Sequence, residues 1–98
     1  MKAPKECETI VEVRTEIDAI DQQIIKLIAN RAQYVQEIIR FKKNEDEVWA
    51  KNRYNEVFEV RRKWAEEQGL NPDVIENIYK TVVHYFIDEQ MKMLKEKQ

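Results

Sequence analysis

Arg31 and Lys42 are the first two side chains whose placement suggests chemistry. Ile10, Val13, Ile17, Ile20, Ile24 and Leu27 recur at alternating spacings of three and four, and the same seam continues through Arg31 to Tyr34, Ile38 and Phe41. A guanidinium in an apolar seam needs compensation, because a buried charge without a partner costs several kcal/mol. Lys42 lies 11 residues on, three helical turns, within about 20° of Arg31 around the axis. The backbones are then separated by roughly 16 Å, a gap that two long side chains can close around a small molecule. The alternative is that Arg31 pairs with Asp18, Asp21 or Glu89 and that Lys42 is the solvated end of a helix. Arg53 stands one position before the apolar Tyr54, and Gln90 continues the stripe Tyr79, Val83, Phe86, where a glutamine wants a hydrogen-bond partner. Arg14 is 17 residues from Arg31, about 25 Å along a straight helix and roughly 100° around it, so one small ligand cannot take both from the same chain.

The elements that position these residues read as three helices. Thr9 as N-cap with Glu12 three residues on forms a capping box, and the seam predicts an unbroken helix from there to about Phe41. "KKNEDE" loses periodicity and reads as a mobile charged loop, with Asn44 or Asp46 available to cap the next helix. A second helix is expected from about Val48 to Gln68, burying Ala50, Tyr54, Val57, Trp64 and Ala65 and stopping at Gly69. Asn71 as N-cap, Pro72 at the first helical position and Asp73 in the first turn start a third helix expected to reach about Leu94. The fold class is all-α, one domain over residues 1–98, with a long first helix. Thirty-odd residues give nearly 50 Å, against a radius of gyration of about 13 Å for a compact chain of this size. Such a helix overhangs its domain, and its apolar seam predicts a homodimer with the long helices lying along each other.

Composition narrows the function classes. The 98 residues carry 17 basic and 19 acidic side chains, a balance that offers no electrostatic footprint for nucleic acid or an anionic membrane. No apolar run approaches a membrane span, and the polar start "MKAPKECETI" is unlike a signal peptide, so a cytoplasmic address is expected. One cysteine and one histidine provide no zinc-ligand spacing and no nucleophilic pair, so neither metal nor cofactor is expected. Cys7 and His84 read as structural.

Taken together, "VRTEIDAIDQQIIKLIANRAQYVQEIIRFK", Arg53 and "HYFIDEQ" closing on Gln90 resemble the all-helical chorismate mutase family over nearly the whole chain. Within it, Pro4, Cys7, "KWAEEQGL" and "VVHYFIDEQ" with His84 are most similar to the isochorismate pyruvate lyases of salicylate and siderophore biosynthesis. The resemblance implies an intertwined homodimer and pericyclic chemistry on a dicarboxylate that joins a ring to an enolpyruvyl ether. It implies that Arg31 and the other protomer's Arg14 clamp the carboxylates, that Lys42 and Gln90 donate to the ether oxygen, and that Arg53 closes over the ligand. The expected reaction is elimination of pyruvate from isochorismate to give salicylate, with weak chorismate mutase activity. The alternatives are a chorismate mutase and an inactive helical dimerisation module. Mutases of this family usually carry a carboxylate directly after the second-helix arginine, and often an aspartate three residues before that arginine. Tyr54 and Ala50 stand there in this chain.

Overall fold

Thr9 starts the first long helix for a local reason. Its hydroxyl accepts a hydrogen bond from the Glu12 N–H at 3.1 Å, and the Glu12 carboxylate accepts one from the Glu8 N–H at 2.7 Å. This is the expected capping box with its return bond moved one residue outward. The Glu8 bond first, and then Lys2 at 3.0 Å, hold the Glu12 carboxyl below the ordinary carboxylate range. A depressed folded value means that this cap stabilises above the unfolded value of about 4.3 and is lost as pH falls through the folded one.

The computed structural model describes residues 2–97 and is all-helical, with no strand among them. A 3-10 turn over Pro4–Glu6 precedes α1, Ile10–Ile38, and a second 3-10 turn, Ile39–Phe41, tightens its end. Then come α2, Glu45–Trp49, α3, Lys51–Glu67, and α4, Pro72–Lys97. Three of these helices are long, as expected, and α1 is the longest. Among the described residues no helix is long and apolar enough to cross a membrane.

The chain divides into two compact units, Met1–Tyr34 and Val35–Gln98. In the first, the apolar stripe of α1 is open: Ile10, Val13, Ile17, Ile20, Ile24 and Leu27 are between 40% and 64% exposed. A helix draws most of its stability from burying such a stripe, so this one lacks its main source within the chain. In the second, Ile39, Val48, Ile87 and Leu94 form a buried cluster flanked by Tyr54, Val83, Met91 and Met93. Val57, Phe58 and Ala65 of α3 and Phe86 of α4 are buried as well. Arg62 joins α3 to the start of α4 by ion pairs to Asp73 at 2.8 Å and Glu76 at 3.4 Å.

The end of α3 and the start of α4 follow the sequence closely. Gly69 adopts φ 73, with Leu70 N–H donating to the Ala65 carbonyl and Gly69 N–H to that of Glu66, the bonding of a Schellman cap. The Asn71 side chain then accepts from Asp73 N–H at 2.9 Å and Val74 N–H at 3.4 Å, with Pro72 at the first helical position. α4 continues to Lys97, one turn past the expected end.

The segment between α1 and α3 corrects the sequence reading. The expected charged loop contains α2, because Asn44 Oδ1 accepts from Glu47 N–H at 2.9 Å while the Glu47 carboxylate accepts from Lys43 N–H at 2.6 Å. Glu45, Asp46 and Glu47 also place negative charge in the first turn, where the helix dipole favours it. The helix expected from Val48 is broken at Ala50, whose φ of 43 and ψ of 63 are left-handed. Its N–H closes α2 on the Asp46 carbonyl, and its own carbonyl opens α3 by accepting from Tyr54 N–H. The break lets α2 bury Val48 while α3 starts in a new direction. Trp64, expected in the core, is 50% exposed, and Phe58 is buried instead.

A left-handed alanine carries a steric cost that glycine avoids. Ala50→Gly is therefore expected to stabilise the fold by about 0.5–1 kcal/mol, the gain being reduced by glycine's larger unfolded entropy. Ala50→Val should destabilise it. Urea denaturation measures both, and a destabilised Ala50→Gly chain would show that the α2–α3 break is not held in solution.

Candidate active site

The end of α1 is held by one face of α4. Gln90, Leu94 and Lys97 recur at i, i+4 and i+7, so they lie in a row along that helix. Gln90 is 6% exposed, and its Nε2 donates to the Val35 carbonyl at 3.1 Å. Leu94 packs in the cluster with Ile39. Lys97 Nζ donates to the carbonyls of Ile39 and Lys42. The glutamine placed in an apolar stripe by the sequence thus has a backbone partner 55 residues away. A primary amide offers two donor hydrogens and an acceptor oxygen. The bond to Val35 uses one hydrogen and fixes the plane of the rest.

Lys42 follows the 3-10 turn with extended backbone, φ −100 and ψ 136, and its side chain is half-buried. Among the described residues its ammonium makes no ion pair and no hydrogen bond. Lys42 and Gln90 therefore belong to the same packed strip of the second unit. Arg53 lies in the first turn of α3, where it pairs with Glu56 at 2.8 Å. Both partners are well exposed, and a pair of that kind is worth at most about 1 kcal/mol. In the first unit, Arg14 is exposed on α1 and forms no ion pair among the described residues, whereas Arg31 is half-buried.

A second cluster has no counterpart in the sequence pattern. The Tyr54 hydroxyl and His84 Nε2 are 2.7 Å apart, and Trp49 stands edge-on to both rings at 5.8 Å. Phe58 completes the cluster 4.8 Å from the Tyr54 ring. An open groove of 490 Å³ adjoins it, lined by Asp46, Trp49, Lys51, Tyr54 and Asn55. That volume lies within the range of small-molecule pockets. Tyr54 and His84 stand 30 residues apart on separate helices, so no local spacing could announce the pair.

The pattern that describes chorismate mutase type II matches residues 13–91, a span that includes Arg14, Arg31, Lys42, Arg53 and Gln90. The chain belongs to the chorismate mutase type II family. Among relatives, the chain is 35% identical over 92 residues to the isochorismate pyruvate lyase of Pseudomonas aeruginosa, covering 94% of this chain and 91% of that protein. It is also 31% identical over 72 residues to the T-protein of Haemophilus influenzae, covering 72% of this chain and 19% of that longer protein. The expected family and all-helical architecture are both found.

Removing the Gln90 donor while keeping its bulk isolates the bond to Val35. Gln90→Met is expected to lower unfolding stability by about 1 kcal/mol, because a part-buried carbonyl loses a partner. An unchanged denaturation midpoint would show that the Val35 carbonyl is satisfied in some other way.

Proposed function

We propose that this protein is an isochorismate pyruvate lyase that also has weak chorismate mutase activity. What carries this reading is the 35% identity to the Pseudomonas aeruginosa lyase along nearly the full length of both chains. In the proposed reaction the ring–oxygen bond of isochorismate breaks as a ring hydrogen moves to the enolpyruvyl methylene, giving salicylate and pyruvate. No covalent intermediate forms and no base is required. The protein's contribution is to fold the substrate and to meet negative charge as it grows on the ether oxygen.

Lys42 and Gln90 are the proposed donors to that oxygen. The unengaged ammonium of Lys42 and the second amide hydrogen of Gln90 support these roles. Arg31 and Arg14 are proposed to bind the two carboxylates in the forked geometry that suits guanidinium, and Arg53 to close over the ligand after leaving Glu56. A second copy of the chain is proposed to supply Arg14. The open stripe of α1 supports that arrangement, since it needs an apolar surface to lie against.

A chorismate mutase is the second reading, favoured by the family description itself. The two differ at Tyr54, where the resemblance leads one to expect a carboxylate that receives the ring hydroxyl of chorismate, and at Ala50, where it often has an aspartate. A buried hydroxyl without an acceptor weakens binding, so this chain is expected to select against chorismate.

Turnover of the two purified substrates separates the readings: kcat/KM should be higher for isochorismate, and a preference for chorismate would favour the mutase. Lys42→Ala should keep the oligomeric state and lose at least about a hundredfold in kcat with either substrate. Parental turnover in that variant would remove Lys42 from the chemistry.

The proposed shared site has its own test. In a heterodimer of an Arg14→Ala chain and an Arg31→Ala chain, one site keeps both arginines and the other loses both. Random mixing of two inactive variants should then recover about a quarter of the parental activity. Absence of recovery in mixed dimers confirmed by mass would argue against a site shared between two chains.

A further inference from the structure

The carbonyl of Lys42 and the N–H of Lys43 belong to one peptide group, and a separate side chain grips each end of it. Lys97 Nζ, in the last turn of α4, donates to the Lys42 carbonyl at 3.1 Å and to the Ile39 carbonyl at 3.2 Å. The Glu47 carboxylate, from α2, accepts from the Lys43 N–H at 2.6 Å. The Lys42 N–H donates to the Ile39 carbonyl at 3.2 Å, so the residue is also tied on its N-terminal side. At Lys42 the backbone leaves the helical path and becomes extended. Its carbonyl therefore has no helical donor, and an ammonium is well suited to take two carbonyls at a helix end. The Lys42 side chain itself is left without an ion pair or hydrogen bond among the described residues.

We infer that Lys97 and Glu47 are positioning residues that clamp the Lys42–Lys43 peptide and thereby aim the Lys42 ammonium. The inference rests on the reading of Lys42 as the proposed ether donor. A planar peptide held at both polar ends cannot rotate, so ψ of Lys42 and φ of Lys43 are set before a ligand arrives. The direction of the Lys42 Cα–Cβ bond is then fixed, and only side-chain torsions remain to be ordered. Preset geometry of this kind acts on the rate of a reaction that needs no proton transfer from the protein. Lys97 comes from the same α4 face as Gln90, two turns on, so one helix face places both proposed donors.

The test uses Lys97→Met, which keeps the aliphatic stem and removes the donors, beside Lys97→Arg, which restores a cation with several N–H groups. In Lys97→Met the Lys43 amide should exchange with solvent about fivefold faster or more as the clamp opens. For isochorismate, kcat should fall about tenfold with KM within about twofold, and Lys97→Arg should recover most of the loss. Glu47→Ala, which releases the other end of the peptide, should produce the same kcat and KM pattern. A Lys43 amide that exchanges at the parental rate in Lys97→Met overturns the clamp, whatever the kinetics show. Faster exchange with unchanged kcat overturns the positioning role. Failure of the functional reading looks different: Lys42→Ala would then turn over like the parent, while Lys97→Met would still speed exchange at Lys43.

Discussion

The end of a helix leaves carbonyls without partners, and in this protein the end of α1 is where the proposed chemistry is anchored. α4 answers with side chains rather than with its own backbone. Gln90 takes the Val35 carbonyl, Leu94 packs in the cluster with Ile39, and Lys97 takes the carbonyls of Ile39 and Lys42. A buried apolar contact lies between two polar ones, which fixes register along the strip as well as affinity. A slip of α4 by one residue would turn all three away together, since each residue advances the face by about 100°. The start of α2 depends on the same strip, because Glu47 holds the Lys43 N–H and Val48 enters the Ile39 cluster.

The first unit presents the opposite condition. Its helix is amphipathic in sequence, yet the apolar stripe faces solvent within the chain. Fully burying a side chain of this size is worth about 1.5–3 kcal/mol, so half-exposed isoleucines at successive turns leave a large stabilisation unrealised. A second copy with the same stripe would supply the missing surface by symmetry, each residue serving as both ridge and groove. In the proposed dimer that apolar seam is also what would bring Arg14 of one chain to the site of the other. Folding, assembly and ligand binding would then share one source of free energy.

How much of this is legible in the sequence depends on range. Thr9, Gly69, Asn71 and Pro72 act on backbone groups one to five residues away, and each can be read directly. The family is legible because the order and spacing of Arg14, Arg31, Lys42, Arg53 and Gln90 can be read along the chain without knowing which of them the fold brings together. The α2 helix escapes such a reading because five residues are too few to show a period. The turn at Ala50 escapes it because an alanine gives no conformational warning, and tertiary packing imposes its left-handed φ. Trp64 is misplaced because helical spacing identifies a face and cannot say whether another element covers it. Gln90 is recognisable as needing a partner, yet the Val35 carbonyl lies 55 residues away, out of reach of any local pattern.

Tyr54 joins the misread segment to the question of selectivity. The sequence alone marks it as the absence of a carboxylate. In the fold it is half of a pair with His84, four residues after the Ala50 turn, and its ring packs against Trp49 and Phe58. A carboxylate offers a substrate hydroxyl two charged oxygens, whereas a phenol already bonded at 2.7 Å offers at most one uncharged site. A hydroxyl aimed at this position would then give up much of its hydration for little return. A substrate whose hydroxyl lies elsewhere on the ring would avoid that loss and keep the proposed cation and amide contacts. In the proposed site the same five polar side chains would serve either of two related dianions, and the Tyr54–His84 pair would be the element that favours one of them.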